Sequence, residues 1–281
     1  MMISMFGSIN IFLLVGFMMR VKHRIPWSRT ISTQFNSKGF LLLRKRILYR
    51  LATKVFANSY ATKKDLIKNF GVSPDQIEVF YNAVKEYEIE KPELKKNNIL
   101  YVGNMWLSKG VDILLEAMPA VLEQYPEIKL DLIGGSLKGS RIKNLQKKSV
   151  ELKISENITF LGSQPKERVL KEFAGAYFTV VPSVVEAFGF VVIESFSVKT
   201  PVIGSNTSGI SEIIRDGKDG FLFEPGNSVD LSLKIMDLLE NEELREEFSQ
   251  NCYERFRNEF EVGCATTMVY EELKNILAAK D

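Results

Sequence analysis

Residues 177–205 read YFTVVPSVVEAFGFVVIESFSVKTPVIGS, and the pattern of this stretch decides the architecture. Tyr177–Pro182 is a short apolar run without period-two alternation, which suits a strand buried on both faces. A loop bearing Glu186 follows, Gly189 marks the entry to a helix that carries Glu194, and Pro201–Ser205 is a second apolar run. Strand, helix, strand repeated along a chain builds a parallel sheet covered on both sides.

The same alternation extends outward. Asn98–Gly103, Lys129–Gly134, Asn157–Leu161 and Gly220–Phe223 read as strands, and Gly110–Gln124, Ser140–Lys153 and Pro165–Ala176 as helices. These elements predict a doubly wound α/β domain over 98–262, followed by a terminal helix, 263–281, that packs back toward the N-terminal part. Upstream, Arg29–Phe35, Lys54–Ala57 and Glu78–Tyr81 read as strands of a smaller, shortened α/β portion over 1–90. Ser59 is placed to cap a helix that runs to Asn69, with Gly71 just beyond its end. The polar, Pro92-containing stretch Lys85–Asn97 reads as a linker.

Charge is unevenly distributed. Residues 1–64 contain twelve Lys or Arg and no Asp or Glu, leaving 25 of the 37 basic residues against all 35 acidic ones in the remainder. Such a field suits an anionic membrane surface, and suits a solvated basic face equally well. No aromatic-and-basic recognition motif accompanies it, so nucleic acid is not an expected partner. Met1–Met19 is uncharged but diluted by Ser4, Gly7, Ser8, Asn10 and Gly16. It reads as a membrane anchor near minimum length, or as a strand over Met1–Phe6 and a buried helix from Ile9. Two cysteines without metal or disulfide spacing favour a reducing, cytoplasmic compartment. One histidine, His23, excludes a histidine-rich metal site, so neither a metal nor a cofactor is expected.

Chemistry gathers where the strands end. In open parallel sheets, ligands bind beyond the carboxyl ends of strands, where helices present their N-termini. The first large-domain strand ends in Gly103-Asn104, and Lys109-Gly110 opens the next helix. A lysine there adds full charge to the helix dipole and suits a phosphate. Gly134-Gly135-Ser136 and Gly162 leave room and bare backbone at two further strand ends. With the following helix starting near Phe188, Glu194 lies about two turns in, roughly 9 Å from the amide-rich end around Phe188, Gly189 and Phe190. Carboxylates at Glu186 and Glu194 suit sugar and ribose hydroxyls. Glu194 follows an apolar run and needs a partner if it is buried.

Several motifs in order resemble the retaining nucleotide-sugar glycosyltransferases called glycosyl transferases group 1, over about residues 30–275. EAFGFVVIE is similar to the family's paired-glutamate motif, with seven residues between Glu186 and Glu194. VGNMWLSKG is similar to its phosphate-binding segment, with Lys109 matching the lysine. NSYATKKDLIKNFGV and TPVIGSNTSGISEIIRDGKDGFLFEPGN match further consensus stretches. The resemblance implies a GT-B-like fold and transfer with retention from a nucleotide-diphosphate sugar, uridine-linked by expectation, to a glycan or lipid-linked acceptor. It implies that Glu186 meets the donor sugar and Glu194 the ribose. It also implies that Lys109 and the amides around Phe188–Phe190 hold the diphosphate, which makes Glu186 and Lys109 the expected catalytic pair. Surface polysaccharide or glycolipid assembly at the inner face of the membrane is the implied setting.

The chain departs from the pattern at three places. Asn104 stands where the family has an arginine, Thr33-Gln34-Phe35 where it has T-x-H, and the opening strand and glycine-rich loop of an N-terminal domain are not recognised before Thr33. On this reading the chain alone binds donor but transfers it slowly, and a homodimer or partner chain is expected. The alternative is a noncatalytic or split nucleotide-sugar-binding subunit; an epimerase of similar fold would need acids and histidines absent here.

Overall fold

The computed structural model describes residues 1–5, 9–32, 39–89, 97–135 and 139–278. They form two compact units: Met1–Asn82 with Val185–Phe188 and Ala265–Asp281, and Ala83–Val184 with Gly189–Cys264. Each is an α/β layer structure around its own parallel sheet.

The first unit contains β1 (Met2–Met5), α1 (Ile9–Met18), β2 (Arg24–Ser28), α2 (Phe40–Tyr49), β3 (Val55–Ala57), α3 (Tyr60–Phe70) and β4 (Ile77–Val79). Its four strands lie in chain order, all parallel. The strand expected at Arg29–Phe35 lies earlier, at Arg24–Ser28, and residues 33–35 fall outside the described ones. Pro26 disguises it, because proline cannot donate to a ladder. Pairing with β3 begins only at Trp27, so no donor is needed from Pro26 on that side. Ser59 caps α3 by accepting from the Thr62 amide, and Gly71 closes it in the left-handed conformation, as expected. Phe12, Leu13, Val55, Leu66, Phe70 and Ile77 form the core on one side of the sheet. Ile25, Phe56, Phe80 and Ile276 form it on the other, joined by Val269 and Leu273. Lys54 ties these elements with ion pairs to Glu78 at 2.8 Å and Glu272 at 3.3 Å.

Of the two readings of Met1–Met19, the structure has the strand and helix. α1 is ten residues long, and among the described residues no helix is long and apolar enough to cross a membrane. Ile11, Phe17, Met18 and Met19 are nonetheless exposed.

The second unit contains β5 (Asn98–Val102), α4 (Val111–Gln124), β6 (Lys129–Ile133), α5 (Gly139–Glu151), β7 (Ile158–Gly162), α6 (Lys166–Gly175), β8 (Phe178–Val181), α7 (Phe190–Phe196), β9 (Val202–Ser205), α8 (Ile210–Ile213), β10 (Gly220–Phe223), α9 (Ser228–Glu240) and α10 (Glu242–Arg255). The strand order is β10-β9-β8-β5-β6-β7, parallel throughout. β8 and β9 are buried at every position, which is why their sequences show no polar alternation. α11 (Val262–Ala278) closes the chain and supplies the residues that pack on Phe56 and Phe80.

The expected linker is not a free one where it is described. Val84 pairs with Glu261, Glu86 accepts from the Tyr253 hydroxyl, and Tyr87 and Ile89 pack against the cluster of Leu100 and Ile133. Apolar residues two apart among charges give one face of an extended segment something to bury.

Candidate functional site

In the six-stranded sheet the chain runs from β5 to β6 to β7, then returns to the other side of β5 with β8. Strand order therefore reverses between β5 and β8. A crevice beyond the carboxyl ends of strands at such a reversal is where open α/β sheets bind ligands. The residues singled out by sequence at 103–110, 134 and 162 all lie at this edge.

The loop after β5 is held from several directions. The Gly103 amide donates to Ile133 O at 2.9 Å, Gly134 to Gly162 O at 2.9 Å, and Met105 to Gly135 O at 2.9 Å. Neighbouring strand ends are thus bonded beyond the regular ladder. Tyr101 donates its hydroxyl to Asn104 O at 2.8 Å. Arg141 donates to Met105 O at 2.9 Å and pairs with Asp112. Lys109 ends a single 3-10 turn, Leu107–Lys109, and α4 starts two residues later than Lys109, at Val111.

Two glycines let backbone approach backbone here. A Cβ on Gly134, whose φ is +140°, would sit 1.8 Å from Gly103 O. A Cβ on Gly110, at φ +69°, would sit 1.9 Å from Pro182 O. The Val184 amide also donates to Ser108 O at 2.9 Å. Loop β5–α4 is therefore docked on the end of β8, and half-buried Lys109 is fixed at the reversal point while Asn104 stays exposed. Any side chain at Gly110 or Gly134 would drive these loops apart.

α7 begins at Phe190 with Gly189 as its N-cap, two residues later than expected. Glu194 is therefore about one turn in, roughly 6 Å from the helix start and not 9 Å. Left-handed geometry at Gly189, φ +112°, ends the loop there and excludes Phe188 from the helix. The carboxylate of Glu194 meets Lys166 Nζ at 2.5 Å, with Lys166 the first residue of α6 after the β7 loop. The sequence reading missed Lys166. A lysine at a helix start opposes the helix dipole, and that mismatch is the signal that an anion stands nearby. The pair brings Glu194 to the same edge of the sheet as Gly162.

Glu186 and Phe188 belong to the other unit. Val185–Phe188 counts with the first unit, where Ser59 Oγ donates to Ala187 O at 2.8 Å and Phe188 packs against Tyr81 with ring centroids 5.8 Å apart. Phe188 is buried, and Phe190 is 41% exposed. Ser136 lies outside the described residues. Among the described residues no group of three His, Cys, Asp or Glu could hold a metal.

A six-stranded parallel sheet of this order, with Lys109 in the loop at its reversal point, has the layout at which open α/β sheets bind nucleotides. Residues 84–255 match the family Glycosyl transferases group 1, and residues 10–86 match Glycosyltransferase Family 4. The chain belongs to the glycosyl transferases group 1 family. An uncharacterized glycosyltransferase of Methanocaldococcus jannaschii is 32% identical over 271 residues, covering 93% of this chain and 72% of its own length. D-inositol 3-phosphate glycosyltransferase of Paenarthrobacter aurescens is 26% identical over 212 residues, covering 71% of this chain; the chain spans about half of that relative, 52%. The crystal structure of Anabaena HepE in complex with UDP superposes with a TM-score of 0.88 at 21% identity, over 95% of this chain and 76% of that one. At that identity the likeness is one of fold, and the fold is GT-B.

Proposed function

We propose that the chain transfers a sugar, with retention, from a uridine-diphosphate sugar to a glycan or lipid-linked acceptor in surface polysaccharide or glycolipid synthesis. One observation carries the reading: the backbone contacts at Gly110 and Gly134 fix Lys109 where strand order reverses. A cation held there favours the charge that develops on a leaving diphosphate and needs no reorganisation during reaction. The related fold of Anabaena HepE was solved with UDP, which supports uridine. In this assignment Gly103, Asn104, Gly134 and Gly162 leave room for the nucleotide, Glu194 accepts from ribose, and Glu186 meets the sugar. Phe188, Gly189 and Phe190 carry amides for the diphosphate, and protein cations serve in place of a metal. The basic stretch before Asp65 suits an acceptor at an anionic, cytoplasm-facing membrane surface.

The chain has two tryptophans, Trp27 and Trp106. Trp106 is 46% exposed and directly precedes the turn that ends in Lys109. In a Trp27→Phe variant, UDP is expected to change Trp106 fluorescence saturably and uridine to do so far more weakly. Absence of any UDP response, together with no heat on calorimetric titration, removes the donor-site assignment.

Glu194→Gln is expected to weaken UDP binding about tenfold or more, because hydrogen bonds to a charged group are worth roughly 1.5–3 kcal/mol. The Lys166 pair itself is partly exposed, with side chains 44% and 20% accessible, and pairs of that kind contribute about 1 kcal/mol or less. Calorimetry on the variant checks this. Unchanged affinity would leave Glu194 as the partner of Lys166 and nothing more.

A further inference from the structure

We infer that Lys166 is a specificity-determining residue of the donor site: its ammonium donates to one ribose hydroxyl while Glu194 accepts from the other, so that the two side chains clasp the diol. The inference rests on the reading of Glu194 as the ribose acceptor and adds a second residue to it. Both residues belong to the second unit. They reach the same edge of the sheet from neighbouring helices, α6 and α7, which share the cluster of Leu100, Phe173 and Val191. α6 starts at Lys166 itself, Glu194 is one turn into α7, and the two side chains meet at 2.5 Å.

Local stability does not account for a lysine at this place. At a helix start its charge opposes the helix dipole, and an ion pair open to solvent contributes little. The ammonium is nonetheless held on two sides. It lies against Glu194 and 5.8 Å from the centroid of the Tyr87 ring, and Tyr87 is itself packed on the cluster of Leu100 and Ile133. The chemistry of the pair is complementary. A lysine carries three donors and no acceptor, and a carboxylate only accepts. Lys166 directs one donor to Glu194 Oε1, while Oε2 has no hydrogen-bond or ion-pair partner among the described residues. Each hydroxyl of a vicinal diol has one proton to give and lone pairs to receive. One hydroxyl donating to Oε2 and its neighbour accepting from Lys166 would use the remaining capacity of both side chains. A carboxylate alone engages a diol only through its protons; the ammonium adds a contact to an oxygen. Both side chains are partly exposed, so a ligand reaches them. A site built to hydrogen-bond a hydroxyl discriminates against an analogue that lacks it, because its own polar group is then left unpaired.

Calorimetric titrations of the full chain with UDP, 2′-deoxy-UDP and 3′-deoxy-UDP test it. Lys166→Met keeps an apolar stem and removes the ammonium. It is expected to weaken UDP binding about tenfold, to weaken one of the two deoxy analogues by the same factor, and to change the other by less than about twofold. The spared analogue names the hydroxyl that Lys166 addresses. Lys166→Arg, which retains charge and donors, is expected to keep the order of the three ligands found for the unaltered chain. Equal losses for all three nucleotides would make Lys166 a general attraction for the diphosphate and overturn the inference. Sparing of both analogues would make it a prop that only holds Glu194 in place, and unchanged UDP affinity would leave it an ion-pair partner alone; either result overturns the inference as well. Any of these beside UDP binding to the unaltered chain leaves the donor reading standing, whereas no UDP binding to the unaltered chain ends both.

Discussion

Lys109→Ala is expected to weaken UDP binding by about 10- to 150-fold, while binding of uridine falls by less than about twofold. The range follows from roughly 1.5–3 kcal/mol for a hydrogen bond to a charged group and 1.4 kcal/mol per decade of affinity. Geometry explains why the loss should be selective. Lys109 closes a 3-10 turn that is pinned around it: Met105 before the turn donates to the Gly135 carbonyl, Ser108 within it accepts from the Val184 amide, and Gly110 after it lies against the Pro182 carbonyl. Removing the side chain takes away a charge while these backbone contacts of the loop remain. Asn104 stands where the family resemblance leads one to expect an arginine, so on the proposed assignment Lys109 would carry a larger share of a diphosphate's charge. Calorimetric titration of both ligands is the measurement. Equal losses for UDP and uridine would make Lys109 a structural residue and end the phosphate assignment.

What could be read from the residues, and what could not, follows from where the information lies. Apolar runs such as FTVV and NILYV are buried along nearly their whole length, so composition alone marked them, and the six strands of the larger sheet lie within a residue of their expected places. Ser59 and Gly71 were legible because capping is local chemistry. β2 was not legible, since its proline argues against a strand and is excused only by where β3 begins to pair. The start of α7 falls two residues later than the sequence suggests, because the left-handed turn at Gly189 is a three-dimensional constraint. For the candidate site, Lys109 and the strand-end glycines could be named from order alone. The Lys166 partner of Glu194 could not, because it comes from a helix 28 residues earlier in the chain. Nor could the company kept by Val185–Phe188, which depends on Ser59 and Tyr81 more than a hundred residues away.

Gly110→Ala is expected to lower stability by about 2–5 kcal/mol and to abolish measurable UDP binding. Two effects add. A left-handed residue other than glycine costs roughly 1–2 kcal/mol, and forcing atoms into a packed site costs roughly 1–3 kcal/mol more. The second applies because the new Cβ would meet Pro182 O at 1.9 Å and Pro182 C at 2.8 Å. Both are backbone atoms, and neither can rotate away like a side-chain end. Either the start of α4 or the loop after β8 must move, and either movement shifts Lys109 from the reversal point. Gly226→Ala supplies the comparison: its φ is +84°, yet nothing lies within 4 Å of the added Cβ. That variant carries the left-handed penalty without the collision and should keep its UDP affinity. Thermal unfolding is expected to drop on the order of 10 °C for Gly110→Ala, given about 2–4 °C per kcal/mol in domains of this size. For Gly226→Ala the drop should be only a few degrees. UDP titrations on samples still folded by circular dichroism separate loss of the site from loss of the protein. Should the two variants melt together and bind UDP alike, the docking of the Lys109 loop on the end of β8 would not be what holds the donor site in shape.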